Sequence, residues 1–245
     1  MRVVVVIPTY QEAENIATAV ERVRKIAPDA QIMVVDDSSP DGTADIARAL
    51  GTDVLVRPRR EGLGAAYRAG WAEALADDFD VIVSMDADGS HDAAALPLLL
   101  DRIEAGADVA MGSRYVPGGQ VPGWPFHRRW LSRGGNLYAK LVLGLPVVDA
   151  TGGYRAYRAD LLRRIDLRTL RADGYGFQIE LVHRSAQLGA KLVEVPITFV
   201  DRRLGTSKMN AGIIWEALAL VTWWAVRDRL LRRGPARQRP SMGRT

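Results

Sequence analysis

No cysteine occurs in the 245 residues, which excludes disulfides, thiolate nucleophiles and cysteine-bound zinc. Histidine is scarce, and His91, His127 and His183 are scattered without metal-ligand spacing. No apolar run reaches the ~20 residues needed to span a bilayer. Neither a Gly-x-Gly-x-x-Gly fingerprint nor a P-loop is present, so a bound diphosphate must be held by other means. The N-terminus lacks the basic-then-apolar pattern of a secretory leader and runs straight into a strand, which makes a cytoplasmic location the expectation. What is present is ordinary globular composition, 48% hydrophobic and 25% charged, enough for one domain with a C-terminal appendage.

Charge is unevenly placed. From Arg227 onward there are seven arginines and one acid, Asp228, so +6 of charge resides there and the rest carries −2 of the total +4. Such a tail is either a solvated terminus or a contact for an anionic surface. With no stacking platform or recognition motif elsewhere, nucleic-acid binding is not expected.

Strand-like and helix-like runs alternate through the first half, the signature of a parallel sheet with crossover helices. Val3 to Ile7 is a continuous apolar run stopped by Pro8, followed by Ile16, Ala19, Val20, Val23 and Ile26 at helical spacing. Ile32 to Val35 reads as the second strand, with Asp41 as N-cap of the next helix. Val54 to Val56 is a third strand, Leu63 to Ala76 a Gly/Ala-rich helix, and Val81 to Met85 a fourth strand. A helix over 92–105 with Asp92 capping it and a strand Val109 to Met111 follow. Tyr115 to Trp130, rich in Gly, Pro and aromatics, reads as a long functional loop. Helices over 132–143 and 176–188 and strands at Tyr154–Tyr157 and Leu192–Val200 complete the body. Ile213 to Val226 is apolar nearly all round and carries Trp215, Trp223 and Trp224 ahead of the arginines. It suits either a helix in a membrane interface or one packed on the domain.

Three strand ends carry matching polar punctuation. The first gives Pro8-Thr9-Tyr10-Gln11-Glu12, the second Val35-Asp36-Asp37-Ser38-Ser39-Pro40-Asp41-Gly42, and the fourth Asp86-Ala87-Asp88. In a parallel α/β sheet, ligands bind beyond the carboxyl ends of the strands. An Asp-x-Asp there presents two hard oxygen ligands that grip one divalent cation bridging a diphosphate. An Asp at the second strand's end can receive a ribose hydroxyl or a base N–H.

With these motifs the chain resembles the polyprenol-phosphate (dolichol-phosphate) mannose synthases, a branch of the inverting glycosyltransferases with the A-type nucleotide-sugar fold. The resemblance continues through Gly112-Ser113-Arg114-Tyr115, Ser132-Arg133-Gly134-x-Asn136, Thr151-Gly152-Gly153-Tyr154-Arg155 and Asp201-Arg202-x-x-Gly205-x-Ser207-Lys208, in order over roughly residues 3–210. It implies a Rossmann-like, mostly parallel sheet flanked by helices over 1–210, a C-terminal amphipathic helix over 211–233, and a basic disordered tail over 234–245. It also implies that Pro8, Tyr10, Glu12, Val35 and Asp37 surround a guanosine, and that Asp86, Ala87 and Asp88 meet the ribose–diphosphate and a Mg²⁺ or Mn²⁺ ion. Ser90 stands where some relatives place a Gln ligand. Arg114, Arg202 and Lys208 would bind phosphates, with Asp88, Arg114 and Arg202 as the catalytic groups. Arg128, Arg129 and Ser132 would meet the acceptor phosphate.

The implied reaction moves mannose from GDP-mannose to a polyprenyl monophosphate with inversion. A lipid monophosphate is already an anion at neutral pH, so no carboxylate need act as base. The implied partners are that donor, that lipid and an anionic membrane surface on the inner face of the cell membrane, with a separate integral membrane protein as a further candidate. The rival readings are a UDP-sugar glucosyltransferase acting on the same lipid and a non-catalytic nucleotide-sugar or membrane-binding module. His91 is expected to pack or to bond the loop backbone, Arg155 and Arg158 to be surface charges, and the run Gly174-Tyr175-Gly176-Phe177-Gln178 with Glu180 to shape the acceptor side.

Overall fold

The computed structural model describes residues 1–170, 172–201 and 211–232. Its strands are β1 (Val3–Thr9), β2 (Gln31–Asp36), β3 (Asp53–Val56), β4 (Val81–Ser84), β5 (Val109–Ser113), β6 (Arg155–Arg158) and β7 (Leu192–Pro196). The helices are α1 (Ile16–Ile26), α2 (Thr43–Ala49), α3 (Leu63–Ala76), α4 (Leu96–Glu104), α5 (Phe126–Leu143), α6 (Ala159–Arg164), α7 (Gly174–Gln187) and α8 (Ala211–Arg232). One seven-stranded sheet runs β3-β2-β1-β4-β6-β5-β7, parallel except for β6, which is antiparallel to both β4 and β5. The chain steps outward from β1 to β3 and returns across to β4, so β1 and β4 flank a topological switch point where a crevice opens.

Both faces of β1 are buried, which explains its unbroken apolar run. Val4 and Val6 point to the layer formed with α3, α7 and α8, while Val3, Val5 and Ile7 point to the layer formed with α1 and α4. The residues of α1 that recur at three- and four-residue spacing, Ile16, Ala19, Val20 and Val23, are its buried stripe. Small residues bring α3 close to the sheet: a Cβ on Gly70 would stand 2.7 Å from both Val35 Cγ2 and Val6 Cγ1.

Several boundaries differ from the sequence reading. The connection after β5 ends at Pro125, because Phe126 to Trp130 form the first turn of α5 rather than loop. Proline fits just outside a helix start, and the aromatics that look like loop composition instead face outward from that turn. Gly42, in the left-handed region at φ 83°, precedes α2, while Asp41 accepts the Thr43 N–H from one position further back. Asp92 caps a short 3₁₀ turn that leads into α4. β7 stops at Pro196, and Thr198 and Phe199 make only isolated bridges to Gln120 and His91.

The C-terminal helix is part of the core. Val221 and Trp224 join the main apolar cluster, the Tyr138 hydroxyl meets Thr222 Oγ1 at 2.7 Å, and Asp228 Oδ2 lies 2.9 Å from His183 Nε2 on α7. Its outward side is also apolar, with Trp223, Val226 and Leu230 exposed, so it is two-faced rather than amphipathic. Among the described residues no helix is long and apolar enough to cross a membrane.

We expect Gly70→Ala to destabilise the fold by about 1–2 kcal/mol net, because overpacking two fully buried valines outweighs the gain in helix propensity. Denaturant titration reads this as a lower midpoint at unchanged slope.

Candidate active site

The loops leaving β1 and β2 are stitched together by the acid-rich segment that follows β2. Asp36 Oδ1 accepts from Thr9 Oγ1 (2.9 Å) and Ser39 Oγ (2.6 Å), and its Oδ2 accepts from Ser39 N. Ser39 Oγ in turn accepts from Gln11 N, Thr43 Oγ1 accepts from Glu12 N, and Asp41 Oδ2 accepts from Ala13 N. These bonds hold Gln11 and Ser38 at positive φ, 57° and 54°, a conformation that non-glycine residues rarely adopt. Asp36 and Asp41 are therefore consumed structurally. Asp37 is the acid of this run that reaches the cleft.

Asp37 does not stand alone there. Arg57 Nη1 donates to Asp37 Oδ1 at 2.6 Å, and Arg57 Nη2 donates to Glu61. Burial pushes the Asp37 carboxyl above its usual range despite Arg57 beside it. Nothing in the sequence pattern marked Arg57, because the contact bridges β2 and β3 ends 20 residues apart. Close by, the Arg60 guanidinium lies 4.3 Å over the Tyr10 ring.

At the end of β4, the Asp86 N–H donates to His91 Nδ1 (3.0 Å) and Asp86 Oδ1 accepts from the Tyr67 hydroxyl (3.1 Å). His91 is stacked on Tyr154, so it serves the loop backbone and the packing, as its sequence position indicated. Asp88 Oδ1 accepts both the N–H and the hydroxyl of Ser90, the latter at 2.6 Å. Ser90 thus positions Asp88. Asp86 and Asp88 both line the cleft, whereas among the described residues no group of three or more His, Cys, Asp or Glu forms a closed metal cage. A pair of hard carboxylates with substrate oxygens and water completing the shell suits a divalent cation such as Mg²⁺ or Mn²⁺.

The opposite wall is built on buried charge. Arg114 Nε and Nη2 donate to the two oxygens of Asp149 at 2.7 and 2.6 Å, and Nη2 also donates to Thr151 Oγ1. The guanidinium sits among Tyr115, Trp124 and Phe199, between 5.3 and 5.6 Å from their centroids. Burial alone would raise the Asp149 carboxyl, but the Arg114 charge and its N–H donors hold it below the usual range. Glu194 accepts the N–H groups of Val148 and Asp149, and Asn136 Oδ1 accepts that of Ala150. Arg155, expected at the surface, is fully buried and donates to the backbone oxygens of Ala150 (2.7 Å) and Gln178 (2.9 Å). Together these contacts carry Thr151, Gly152 and Gly153 into the cleft.

The cleft encloses about 610 Å³, the scale of a nucleotide-sized ligand site. It brings together Pro8, Tyr10, Glu12, Asp37, Asp86, Ala87, Asp88, Ser90, Arg114 and Arg128 of the residues singled out in the sequence. Val35 is fully buried within β2 and packs toward α3 rather than lining it. Arg129 lines neither the cleft nor the groove beside it and reaches the Trp124 carbonyl. Ser132 is absent from the cleft lining but lines the adjoining groove, where it accepts the Tyr115 hydroxyl at 2.6 Å. Arg202 and Lys208 lie outside the described residues. The described lining carries six carboxylates, Glu12, Asp37, Asp86, Asp88, Asp173 and Asp201, against three guanidiniums, Arg60, Arg114 and Arg128. A polyanion entering such a surface needs accompanying cations.

On the other side of Trp124, Arg128, Thr151 and Tyr175, which line both, a narrow groove lies between α5, α7 and α8, walled by Leu131, Tyr138, Ile179, Ala217 and Val221. It is apolar along most of its length.

Comparison with known proteins gives three kinds of match. The sequence model described as Glycosyl transferase family 2 matches residues 4–166. The chain is 48% identical over 234 residues to an undecaprenyl-phosphate mannosyltransferase of Micrococcus luteus, covering 94% of this chain and 96% of that one. It is likewise 48% identical over 235 residues to a polyprenol monophosphomannose synthase of Mycolicibacterium smegmatis, covering 94% and 89%. Among solved structures it resembles a glucosyl-3-phosphoglycerate synthase of Mycobacterium tuberculosis in complex with Mn²⁺, UDP-glucose and phosphoglyceric acid, with a TM-score of 0.71 at 21% identity, covering 92% of this chain and 80% of that one. That likeness is one of fold.

We expect Asp149→Asn to cost about 3–5 kcal/mol, since it leaves the Arg114 charge buried without its partner. The Asp149 pKa is lower folded than unfolded, so the pair's contribution is complete above about pH 4 and is lost as pH falls through the folded value. Denaturant melts between pH 7 and pH 2 should show a shallower acid decline in the variant.

Proposed function

The chain belongs to glycosyl transferase family 2, and from that premise we propose that it transfers mannose from GDP-mannose to a polyprenyl monophosphate, inverting the anomeric carbon. The observation that carries the reading is a polar cleft with paired aspartates adjoining an apolar groove, the two sharing Trp124, Arg128, Thr151 and Tyr175 as a common wall. One compartment suits a nucleotide diphosphate sugar and the other the first isoprene units of a lipid whose phosphate lies at their junction.

In this reading Tyr10, Glu12 and Asp37 face the guanosine, while Asp86 and Asp88 face the diphosphate. A Mg²⁺ or Mn²⁺ ion bound there would neutralise the diphosphate and the charge that develops as it departs. A lipid phosphate oxygen forms the new bond to the anomeric carbon as the bond to the GDP oxygen breaks, and the electron pair leaves with GDP. The nucleophile is already ionised, so the protein's task is to let two anions approach. Arg114 meets that requirement with its Nη1, which makes no hydrogen bond among the described residues, while Nε and Nη2 anchor it. Arg128, at the junction and paired with Asp201, faces the acceptor phosphate. Arg202 and Lys208 are assigned to the phosphates on sequence grounds.

The docking surface follows from the same reading. Phe126, Trp130, Leu137 and Leu141 form an exposed stripe along α5, and Trp223, Val226 and Leu230 form another on α8, near Arg129, Arg133, Arg227 and Arg229 in sequence. Aromatics beside arginines are the side chains that enter an anionic membrane interface.

Incubation with labelled GDP-mannose or UDP-glucose, a divalent cation and a polyprenyl phosphate should deliver mannose label, and not glucose label, into organic solvent. Asp88→Ala should lower this transfer about 100-fold or more. Asp173→Asn should retain most of it, since the amide oxygen can still accept the Gly64 N–H now bonded to Asp173 (2.8 Å) and no base is required. A loss there matching Asp88→Ala, with Gly64 still capped, would show that Asp173 takes a proton. For docking, the double change Trp130→Ser and Trp223→Ser should weaken cosedimentation with phosphatidylglycerol vesicles about tenfold or more while leaving thermal stability near that of the parent.

A further inference from the structure

Beneath the paired aspartates the cleft has a floor that neither the nucleotide nor the lipid phosphate accounts for. Gln178, on α7, lines the cleft although only 4% of it is exposed, and its side chain makes no hydrogen bond among the described residues. Its Oε1 is fully buried and unpartnered. Leaving a buried amide group unmatched costs about 1–3 kcal/mol, and the Gln178 atom turned toward Gly153 is Nε2, so the amide has bonding capacity that a ligand in the cleft can use.

The space in front of it is defined by a glycine. A Cβ on Gly153 would lie 3.5 Å from Gln178 Nε2, 3.6 Å from His91 Cε1 and 4.0 Å from Asp86 Oδ2. The amide, the imidazole edge and the first aspartate thus converge on one small volume that the missing side chain leaves open. Arg155 fixes this geometry from below, because its two Nη atoms hold the Gln178 and Ala150 carbonyls at once. Terminal amide torsions are soft and roughly two-fold, so Gln178 can turn either its oxygen or its nitrogen toward the cleft.

We propose that Gln178 recognises a hydroxyl of the donor hexose and, with Asp86 and the Gly152-Gly153 backbone, forms the sugar subsite. This places Gln178 on the donor side of the cleft, not on the acceptor side expected from the sequence. A hydroxyl both donates and accepts, and an amide is the neutral side chain that matches it in either sense. A carboxylate in this place would add charge beside Asp86, and an apolar residue would leave the hydroxyl unmatched. Sites built to bond a substrate hydroxyl discriminate strongly, because a ligand that fails to supply it leaves buried polar groups unpaired.

The inference rests on reading the cleft as a nucleotide-sugar site, and its test separates the two. Wild-type transfer is first ranked with GDP-mannose, GDP-glucose and UDP-glucose, which identifies the donor and judges the mannose reading on its own. With whichever donor is used, Gln178→Leu and the length-preserving Gln178→Met are then compared with wild type. We expect kcat/KM for that donor to fall about tenfold in both, with preference among the sugars narrowed. Inhibition by the free nucleoside diphosphate, which lacks the hexose, should stay within about twofold of wild type and reports an intact fold and nucleotide site. Unchanged kcat/KM and unchanged sugar preference would overturn the proposal, as would equal losses in donor use and nucleoside diphosphate inhibition.

Discussion

The segment 148–153 is held in place by two buried guanidiniums, and the cleft depends on that arrangement. Arg114, at the end of β5, is neutralised by Asp149, and Arg155, at the start of β6, is spread over two backbone carbonyls. A buried charge needs most of its donors matched, as Nε and Nη2 of Arg114 and both Nη atoms of Arg155 are, and this restricts where the surrounding backbone can lie. Glu194 and Asn136 satisfy the N–H groups that would otherwise be orphaned by a loop at this depth. The result is an irregular segment with the rigidity of an element, delivering Gly152 and Gly153 beside Asp86.

β6 makes this possible. As the one antiparallel strand in the sheet, inserted between β4 and β5, it reverses the chain so that the segment before it crosses the carboxyl ends of its parallel neighbours. The rim formed by β1, β2 and β4 supplies Glu12, Asp37, Asp86 and Asp88, and the far rim supplies Arg114, Arg128, Trp124 and Phe199 together with Asp173 and Asp201. Cation–π contacts around Arg114 let that charge stay near the cleft without full hydration.

The polar cleft and the apolar groove meet at Trp124 and Arg128, whose guanidinium lies 3.9 Å over the indole ring. α5 and α8 form the groove's sides and also carry the outward apolar stripes. The same two helices therefore face an apolar groove on one side and the exterior on the other. In the proposed reading, docking and acceptor entry share this one structural unit, which would account for an α8 that is apolar on both sides.

Strand ends, helix stripes and the acidic pair were legible in the chain itself, because period and punctuation are local: Val3 to Ile7, the α1 stripe and Asp86-Ala87-Asp88 all stand where spacing put them. The ordered motifs likewise identified the family. Local pattern failed where a residue's environment comes from distant chain. Arg155 looks like a surface charge beside Arg158, yet the antiparallel register between β4 and β5 buries it, while Arg158, at the strand's end, stays exposed. Asp36 and Asp37 are neighbours of one type, but pleating turns the first into the loop stitches and the second toward Arg57 and the cleft. Gln178 sits in a helix whose spacing says only that it is near the core. Composition and periodicity determine which elements form and which side of each is apolar; partner identity, burial of charge and the space left by Gly153 are set by which elements meet, and that is decided only when the sheet closes.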